Sequence, residues 1–187
     1  GLRQGVFSGY SHPKQWASAF KAQFKYFGSE KAVQELYTSI KADPLYKLAR
    51  EAKLAITDLG TGTLRPREEL FQSQLAEKIP IIGSIVRATG RAYTGFANKY
   101  RFDMFNSLLE NAKRTGDFQD PKFLRNAGEF VNTVTGRGSL GKFEKQAGVL
   151  STTLFSPRLL ASRLQLMNPQ FYMKLQPAVR KEALKSL

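Results

Sequence analysis

The sequence predicts an all-α fold: an irregular multi-helix bundle of about eight or nine helices around a central helix rich in aromatic residues. Three observations support this prediction. Apolar side chains recur at the three- and four-residue spacing of an α-helix. No segment shows the alternation of a β-strand, and no internal repeat is present. Prolines and glycines also fall where helices are expected to start and end.

Helix starts are marked by a side-chain acceptor followed by proline, which loses nothing at the first helical position because the N–H there has no partner within the helix. The starts are Asp43-Pro44, Asp120-Pro121, Ser156-Pro157 and, as a looser version, Ser11 before His12-Pro13. Helix ends are expected at glycines. These are Gly28, Gly60, Gly62, Gly116 and the run from Gly136 to Gly141.

Each predicted helix carries an apolar stripe that a neighbouring helix must cover. In chain order the stripes are Trp16, Phe20, Phe24 and Phe27; Leu45, Leu48, Ala52 and Ile56; and Leu124, Ala127, Val131 and Val134. The first helix carries its lysines on another face.

The segment from about Arg91 to Arg114 has two apolar faces rather than one. Its faces are Tyr93, Phe96, Tyr100 and Met104 on one side, and Phe102, Phe105 and Leu109 on the other. Such a helix needs neighbours on two sides, so we expect it at the centre of the bundle. The preceding run from Ile79 to Val86 contains Pro80 and Gly83, which predict a buried turn or broken helix.

The length of 187 residues and the 42% hydrophobic content suit a packed core. We expect a single helical domain over 1–187. A sub-boundary near 58–65 would separate N-terminal helices, 1–60, from a central bundle and basic C-terminal tail, 66–187. Because the chain does not begin with Met, we expect it to be an excised domain or a processed product.

The net charge of +14 is concentrated at the two ends of the chain. Residues 1–28 carry +4 with no acidic residue, and residues 136–187 carry +7, which leaves +3 for the middle. Such a surplus attracts polyanions. Nucleic acid, anionic lipid and acidic protein surfaces all satisfy this expectation.

Several functional classes are disfavoured by composition. The chain has no cysteine and one histidine, which excludes disulfides and thiolate-bound zinc and removes most histidine-based metal or triad sites. We expect no enzyme activity, no cofactor and no small-molecule substrate. No apolar run is long enough for a transmembrane helix, and a membrane surface is the least favoured of the expected partners.

The glycine run from Gly136 to Gly141 has the spacing of a dinucleotide-binding turn. It follows a predicted helix rather than a strand, so a helix C-cap and turn is the better interpretation. One alternative is that its bare N–H groups, with Arg137 and Lys142, hold a backbone phosphate.

Three other polar positions have simple structural interpretations. His12 is expected to cap a helix or lie on the surface, because a lone imidazole lacks the second group that general-base chemistry needs. Asp103 is expected to form an ion pair, either a local one, with Arg101 two residues and Lys99 four residues away, or one with another helix. Ser156 is expected to be an N-cap rather than a nucleophile.

The C-terminal tail alternates basic and apolar residues, and three interpretations remain open: a solvated face of a packed helix, a phosphate-binding surface, or a membrane-binding surface. Candidate residues for contact with nucleic acid or another polyanion are Lys14, Lys21, Lys25, Arg137, Lys142, Arg158, Arg163, Arg180 and Lys181.

Two stretches carry a resemblance to a known family. Residues 75–103, which include Ala92-Tyr93-Thr94-Gly95-Phe96, and residues 132–163, which include Leu154-Phe155-Ser156-Pro157-Arg158, resemble segments of the very large polyvalent proteins of bacteriophages. Such proteins string enzymatic and unassigned helical domains on one chain. The resemblance implies a helical domain that is packaged in the particle or delivered with the DNA. It supplies no catalytic residues.

We therefore expect a non-catalytic module of a phage protein with a structural or packaging role, located in the virion or the host cytoplasm. Its basic faces would contact nucleic acid or the acidic surfaces of neighbouring subunits, with oligomerisation left open. The alternatives are a sequence-independent nucleic-acid-binding module and an accessory domain of a larger phage enzyme.

Overall fold

A computed structural model describes residues 12–57, 80–114, 116, 118, 120–138 and 157–185. These residues form eight α-helices and no strand, which confirms the predicted all-α bundle. The helices are α1 Pro13–Gly28, α2 Glu30–Ala42, α3 Tyr46–Glu51, α4 Pro80–Lys113, α5 Pro121–Val134, α6 Pro157–Met167, α7 Pro169–Lys174 and α8 Pro177–Leu184. The proposed sub-boundary near 58–65 lies outside the described residues.

The proline signals place helix starts correctly in three of four cases. Helices α1, α5 and α6 begin at Pro13, Pro121 and Pro157, and Asp120 caps α5 as predicted. The prediction at Asp43-Pro44 is wrong by two residues. Here Asp43 Oδ1 accepts from the Leu45 N–H at 2.8 Å and closes a turn before α3 begins. Ser11 and Ser156 lie outside the described residues.

The long helix α4 is the centre of the bundle. Both predicted apolar faces are largely buried, with Tyr100 on one side and Phe105 on the other, but Tyr93 at the start of the first face is only half-buried. The break expected between Ile79 and Val86 is wrong, because α4 begins at Pro80 and runs through Gly83 without interruption. Proline at the first position costs no hydrogen bond, and one helical glycine costs only about 1 kcal/mol.

Helix α1 makes the most extensive contact with α4. Trp16 and Phe20 pack against the core as predicted, but Phe24 and Phe27 are 65% and 46% exposed, and Tyr26 is buried in their place. The cause is Gly95 on α4, where an added Cβ would lie 2.5 Å from Cδ2 of the Tyr26 ring. This close approach turns the packed face of α1 toward Tyr26.

The helix predicted to carry Leu45, Leu48, Ala52 and Ile56 ends before it reaches Ile56. Helix α3 ends at Glu51, and Lys53 adopts a left-handed conformation, with φ of 54°. The N–H groups of Lys53 and Leu54 return to carbonyls of the last turn. The chain then continues in a non-helical conformation over residues 54–57.

Side-chain amides hold this non-helical segment between two helices. On α5, Asn132 accepts from the Ala55 N–H at 2.8 Å and donates to the Lys53 carbonyl at 2.9 Å. On α4, Asn98 makes the equivalent pair of bonds to the N–H and carbonyl of Thr57, at 2.9 and 2.8 Å. Backbone groups that no helix or sheet satisfies are thus paired by α4 and α5.

Candidate polyanion-binding surfaces

The lysines of α1 form a row on its exposed side. Lys14, Lys21 and Lys25 are all exposed, and their spacing of seven and four residues places them within about 40° around the helix axis. The row is about 16 Å long. It lies opposite the face that buries Ala19 and Tyr26. Packing of the aromatic face therefore leaves the three ammonium groups directed to solvent.

Among the described residues, one acidic side chain forms an ion pair with this row. Lys25 Nζ lies 3.6 Å from Glu35 Oε2, and both side chains are more than half exposed. Exposed pairs of this kind contribute little and are screened by salt. Helix α1 itself contains no acidic residue. The lysine row therefore keeps most of its attraction for anions.

The segment after α5 is a helix C-cap, as predicted, and not a dinucleotide turn. Gly136 has φ of 81°, and the N–H groups of Gly136 and Arg137 bond to the carbonyls of Thr133 and Asn132 at 3.1 and 2.7 Å. The Gly138 N–H donates to Ser162 Oγ at 2.6 Å. The alternative of a phosphate held by bare N–H groups is therefore wrong for these three residues. Lys142 and the remainder of the run lie outside the described residues.

Arg137 is half-buried rather than freely exposed. Its Nη2 donates to Thr57 Oγ1 at 2.9 Å. Arg137 thus joins Asn98 and Asn132 as a third side chain that hydrogen-bonds to the non-helical segment 54–57. The side chain thus joins the C-terminal end of α5 to Thr57. Only part of the guanidinium remains available for a ligand.

Arg101 is the most deeply buried charged residue among those described. Its Nε donates to Thr135 Oγ1 at 2.9 Å, and its Nη1 donates to the Ala55 carbonyl at 3.2 Å. Within the described residues no carboxylate pairs with it. Burial, together with the nearby charge of Arg137, lowers the pKa of Arg101 to about 9, and Tyr93 opposes the shift. The guanidinium remains charged at neutral pH and is stabilised by carbonyl and hydroxyl dipoles.

The predicted ion pair of Asp103 is confirmed, and its partner is Lys99. Lys99 Nζ lies 2.7 Å from Asp103 Oδ2 across one helical turn. Burial raises the pKa of Asp103, and the Lys99 hydrogen bond and charge oppose that rise. Arg101, two residues away, lies on another side of α4. Sequence reasoning considered it only as a partner for Asp103 and missed its role in holding Ala55 and Thr135.

The basic residues of the C-terminal tail have different environments. Arg163 and Lys181 are exposed, and Arg158 is half-buried. Arg180 is largely committed to the fold, because its guanidinium donates to the carbonyls of Tyr172, Met173 and Leu175 at 2.7 to 2.9 Å. These carbonyls lie at the C-terminal end of α7, where a cation is favoured. Of the four candidate residues in the tail, Arg163 and Lys181 are therefore the most accessible to a polyanion.

Lys181 borders an open cavity of about 440 Å³ between α4, α5 and α8. Leu108, Phe123 and Val179 line its apolar part, and Arg114 and Lys185 lie at its edge. Lys185 is paired with Glu182 at 2.8 Å. The structure thus brings Lys181 near Arg114, which sequence reasoning did not select because the two residues lie far apart in the chain.

His12 is buried, so the expected surface position is wrong. It occupies the N-cap position of α1 without a side-chain hydrogen bond to the helix. Burial lowers the pKa of His12; Glu182 raises this pKa and Lys185 lowers it. Glu182 lies on α8 and Lys185 directly follows it, so the imidazole lies within electrostatic range of the C-terminal helix.

Within the described part of the chain, no group of three or more His, Asp and Glu side chains could hold a metal ion. None of its helices is at once long and apolar enough to cross a membrane.

No family model, curated protein or solved structure matches this chain in the three comparisons made.

Proposed function

We propose that this chain is a non-catalytic helical module that binds the phosphate backbone of nucleic acid through the lysine row of α1. The observation that carries the proposal is the alignment of Lys14, Lys21 and Lys25 on one exposed face of a helix that contains no acidic residue. A phage particle, or the DNA delivered from it, is the setting that the resemblance of residues 75–103 and 132–163 implies.

The geometry of the row suits a linear polyanion. Along the axis of duplex DNA each strand carries one phosphate per about 3.4 Å, so a row about 16 Å long covers an axial distance that holds about five phosphates of one strand. Lysine ammonium groups act as point charges on flexible stems, whereas bidentate base recognition favours arginine. The α1 face offers lysines alone. Binding is therefore expected to be independent of base sequence.

The test is fluorescence anisotropy of labelled duplex DNA over a range of salt concentrations. For the wild-type protein, the logarithm of the association constant should fall linearly with the logarithm of the salt concentration. The triple variant Lys14→Gln, Lys21→Gln, Lys25→Gln should bind more weakly and reduce the salt slope by up to about 2.7, since each phosphate contact contributes about 0.9.

The matched control removes the same charge elsewhere. Lys31, Lys47 and Lys122 are exposed and carry no ion pair in the described part of the chain, so their triple Gln variant tests net charge alone. A smaller loss in this control supports the α1 row as the binding surface. Equal losses in the two variants would assign binding to overall charge, and absence of DNA binding at low salt would overturn the proposed function.

A further inference from the structure

Helix α6 directs a stripe of large apolar side chains to solvent. Leu160, Leu164 and Met167 are 46%, 61% and 80% exposed. Their spacing of four and three residues puts them on one side of the helix, over a length of about 10 Å. Scattered apolar residues are normal on protein surfaces, but an aligned stripe of this kind is typical of an interaction site.

The opposite side of α6 is docked on the bundle through polar contacts. Ser162 is buried, its Oγ accepts from the Gly138 N–H at 2.6 Å, and it donates to the Arg158 carbonyl at 2.7 Å. A Cβ on Gly138 would lie 2.7 Å from the same oxygen, so the helix and the loop are in close contact. Rotating α6 to bury Leu160 and Leu164 would break the hydrogen bond between Ser162 and Gly138.

Contacts at the junction between α6 and α7 fix the orientation of α6. The Tyr172 hydroxyl donates to the Leu166 carbonyl at 2.7 Å, and Asn168 caps α7 through the Gln170 N–H at 2.9 Å. Arg180 then holds the carbonyls at the end of α7. The stripe is therefore presented on a fixed helix pair.

Within the described part of the chain, the surroundings of the stripe are cationic and contain no exposed aromatic side chain. Arg163 is exposed beside it, Lys174 is exposed on α7, and the sequence contains no acidic residue from 145 to 181. Phe171 and Tyr172 are buried instead of forming the aromatic belt typical of membrane interfaces. An exposed Met also adapts readily to a protein partner. These features favour an apolar partner with acidic flanks.

We propose that Leu160, Leu164 and Met167 form the docking site for an amphipathic helix of another protein, with leucines facing the stripe and Glu or Asp side chains facing Arg163. Two turns of the partner cover the length of the stripe. This surface is separate from the lysine row of α1, and its occupation does not depend on nucleic acid.

The probe is a synthetic amphipathic helical peptide with leucines at i, i+4 and i+7 and glutamates at the flanking positions, labelled for fluorescence anisotropy. Its counterpart carries lysine in place of every glutamate. Wild-type protein should bind the acidic peptide and discriminate against the basic one by at least about tenfold, a ratio that equals about 1.4 kcal/mol. Arg163→Glu should reduce or reverse this preference.

The variant Leu160→Gln, Leu164→Gln, Met167→Gln should lose the peptide while circular dichroism shows an intact fold. The matched control is Met173→Gln with Leu184→Gln, because these side chains are 72% and 51% exposed outside the stripe. An equal loss in the control, or equal binding of both peptides, would overturn the proposal. Self-association, or binding to phosphatidylserine vesicles, that is abolished by the stripe variant would assign the surface to another occupant and also overturn it.

Discussion

Thr135 binds the guanidinium of Arg101 with both its side chain and its main chain. Oγ1 accepts from Nε at 2.9 Å, and the carbonyl accepts from Nη2 at 3.4 Å. The same hydroxyl donates to the Val131 carbonyl at 2.7 Å. Arg101 therefore occupies the C-terminal end of α5, where a positive charge is favoured by the helix dipole, and ties that end to α4.

Replacing Arg101 should destabilise the protein strongly. Arg101→Ala removes three hydrogen bonds and leaves the carbonyls of Ala55 and Thr135 without this donor inside the protein. The expected loss in free energy of unfolding is about 2–4 kcal/mol. Urea denaturation monitored by circular dichroism measures it.

Arg163→Ala is the control, since this arginine is exposed and should change the free energy of unfolding by about 0.5 kcal/mol or less. Arg101→Lys keeps the charge but loses the planar fork, so an intermediate loss is expected. If Arg101→Ala behaves like Arg163→Ala, the hydrogen bonds of Arg101 do not stabilise the fold.

Gly128→Ala should lower the free energy of unfolding by more than a single added methyl group usually does. An added Cβ on α5 would collide with the carbonyl oxygen of Ala52, a backbone atom that cannot rotate away. A loss of about 2–4 kcal/mol is expected, because overpacking forces backbone movement. Gly28→Ala is the matched control, since nothing lies within 4 Å of its added Cβ. Thermal denaturation of the two variants should therefore give clearly different midpoints, and equal midpoints would contradict the close packing of α5 on Ala52.

Asn132→Ala should loosen the segment that follows α3. It removes the acceptor for the Ala55 N–H and the donor to the Lys53 carbonyl. We expect a loss of about 1–3 kcal/mol and faster hydrogen exchange at the Ala55 amide. Asn132→Asp retains an acceptor, so exchange at Ala55 should stay closer to wild type. Unchanged exchange in the Ala variant would show that Asn132 does not protect this amide.

Acidification should destabilise the protein through His12. Burial lowers the pKa of His12 below its ordinary value of 6.5, so the unfolded chain binds a proton at a pH where the folded chain does not. The stabilising contribution is present above pH 6.5 and is lost as the pH falls through the folded-state pKa. Because His12 is the sole histidine, NMR titration of its imidazole reports this pKa directly. His12→Gln should remove this component of the pH dependence, whereas an imidazole pKa at or above 6.5 would contradict it.

The sequence predicted those features that depend on neighbours in the chain. Asp120-Pro121 starts α5, Gly136 ends it, and the stripe from Leu124 to Val134 is buried because period and capping both act over a few residues. The exposed position of Phe24 could not be predicted, since it depends on the ring of Tyr26 reaching Gly95 on another helix.

The candidate site was predictable to a similar extent. The lysine row of α1 follows directly from helical spacing. The hydrogen bonds of Arg180 and Arg137 within the fold could not be predicted from helical spacing. Their acceptors are backbone carbonyls and a hydroxyl, and these come within reach only because other segments of the chain end nearby. A count of charged residues treats every Lys and Arg as available to a polyanion. In the folded protein, some of these side chains already donate hydrogen bonds to acceptors of the protein itself.

The two kinds of cation in this protein should respond differently to dissolved ions. Arg101 is held by neutral dipoles in an interior that counterions do not enter, whereas the ammonium groups of α1 lie within their reach. Concentrated salt should therefore elute a bound polyanion while leaving the bundle native, so the protein could be stripped of its ligand and reloaded without refolding.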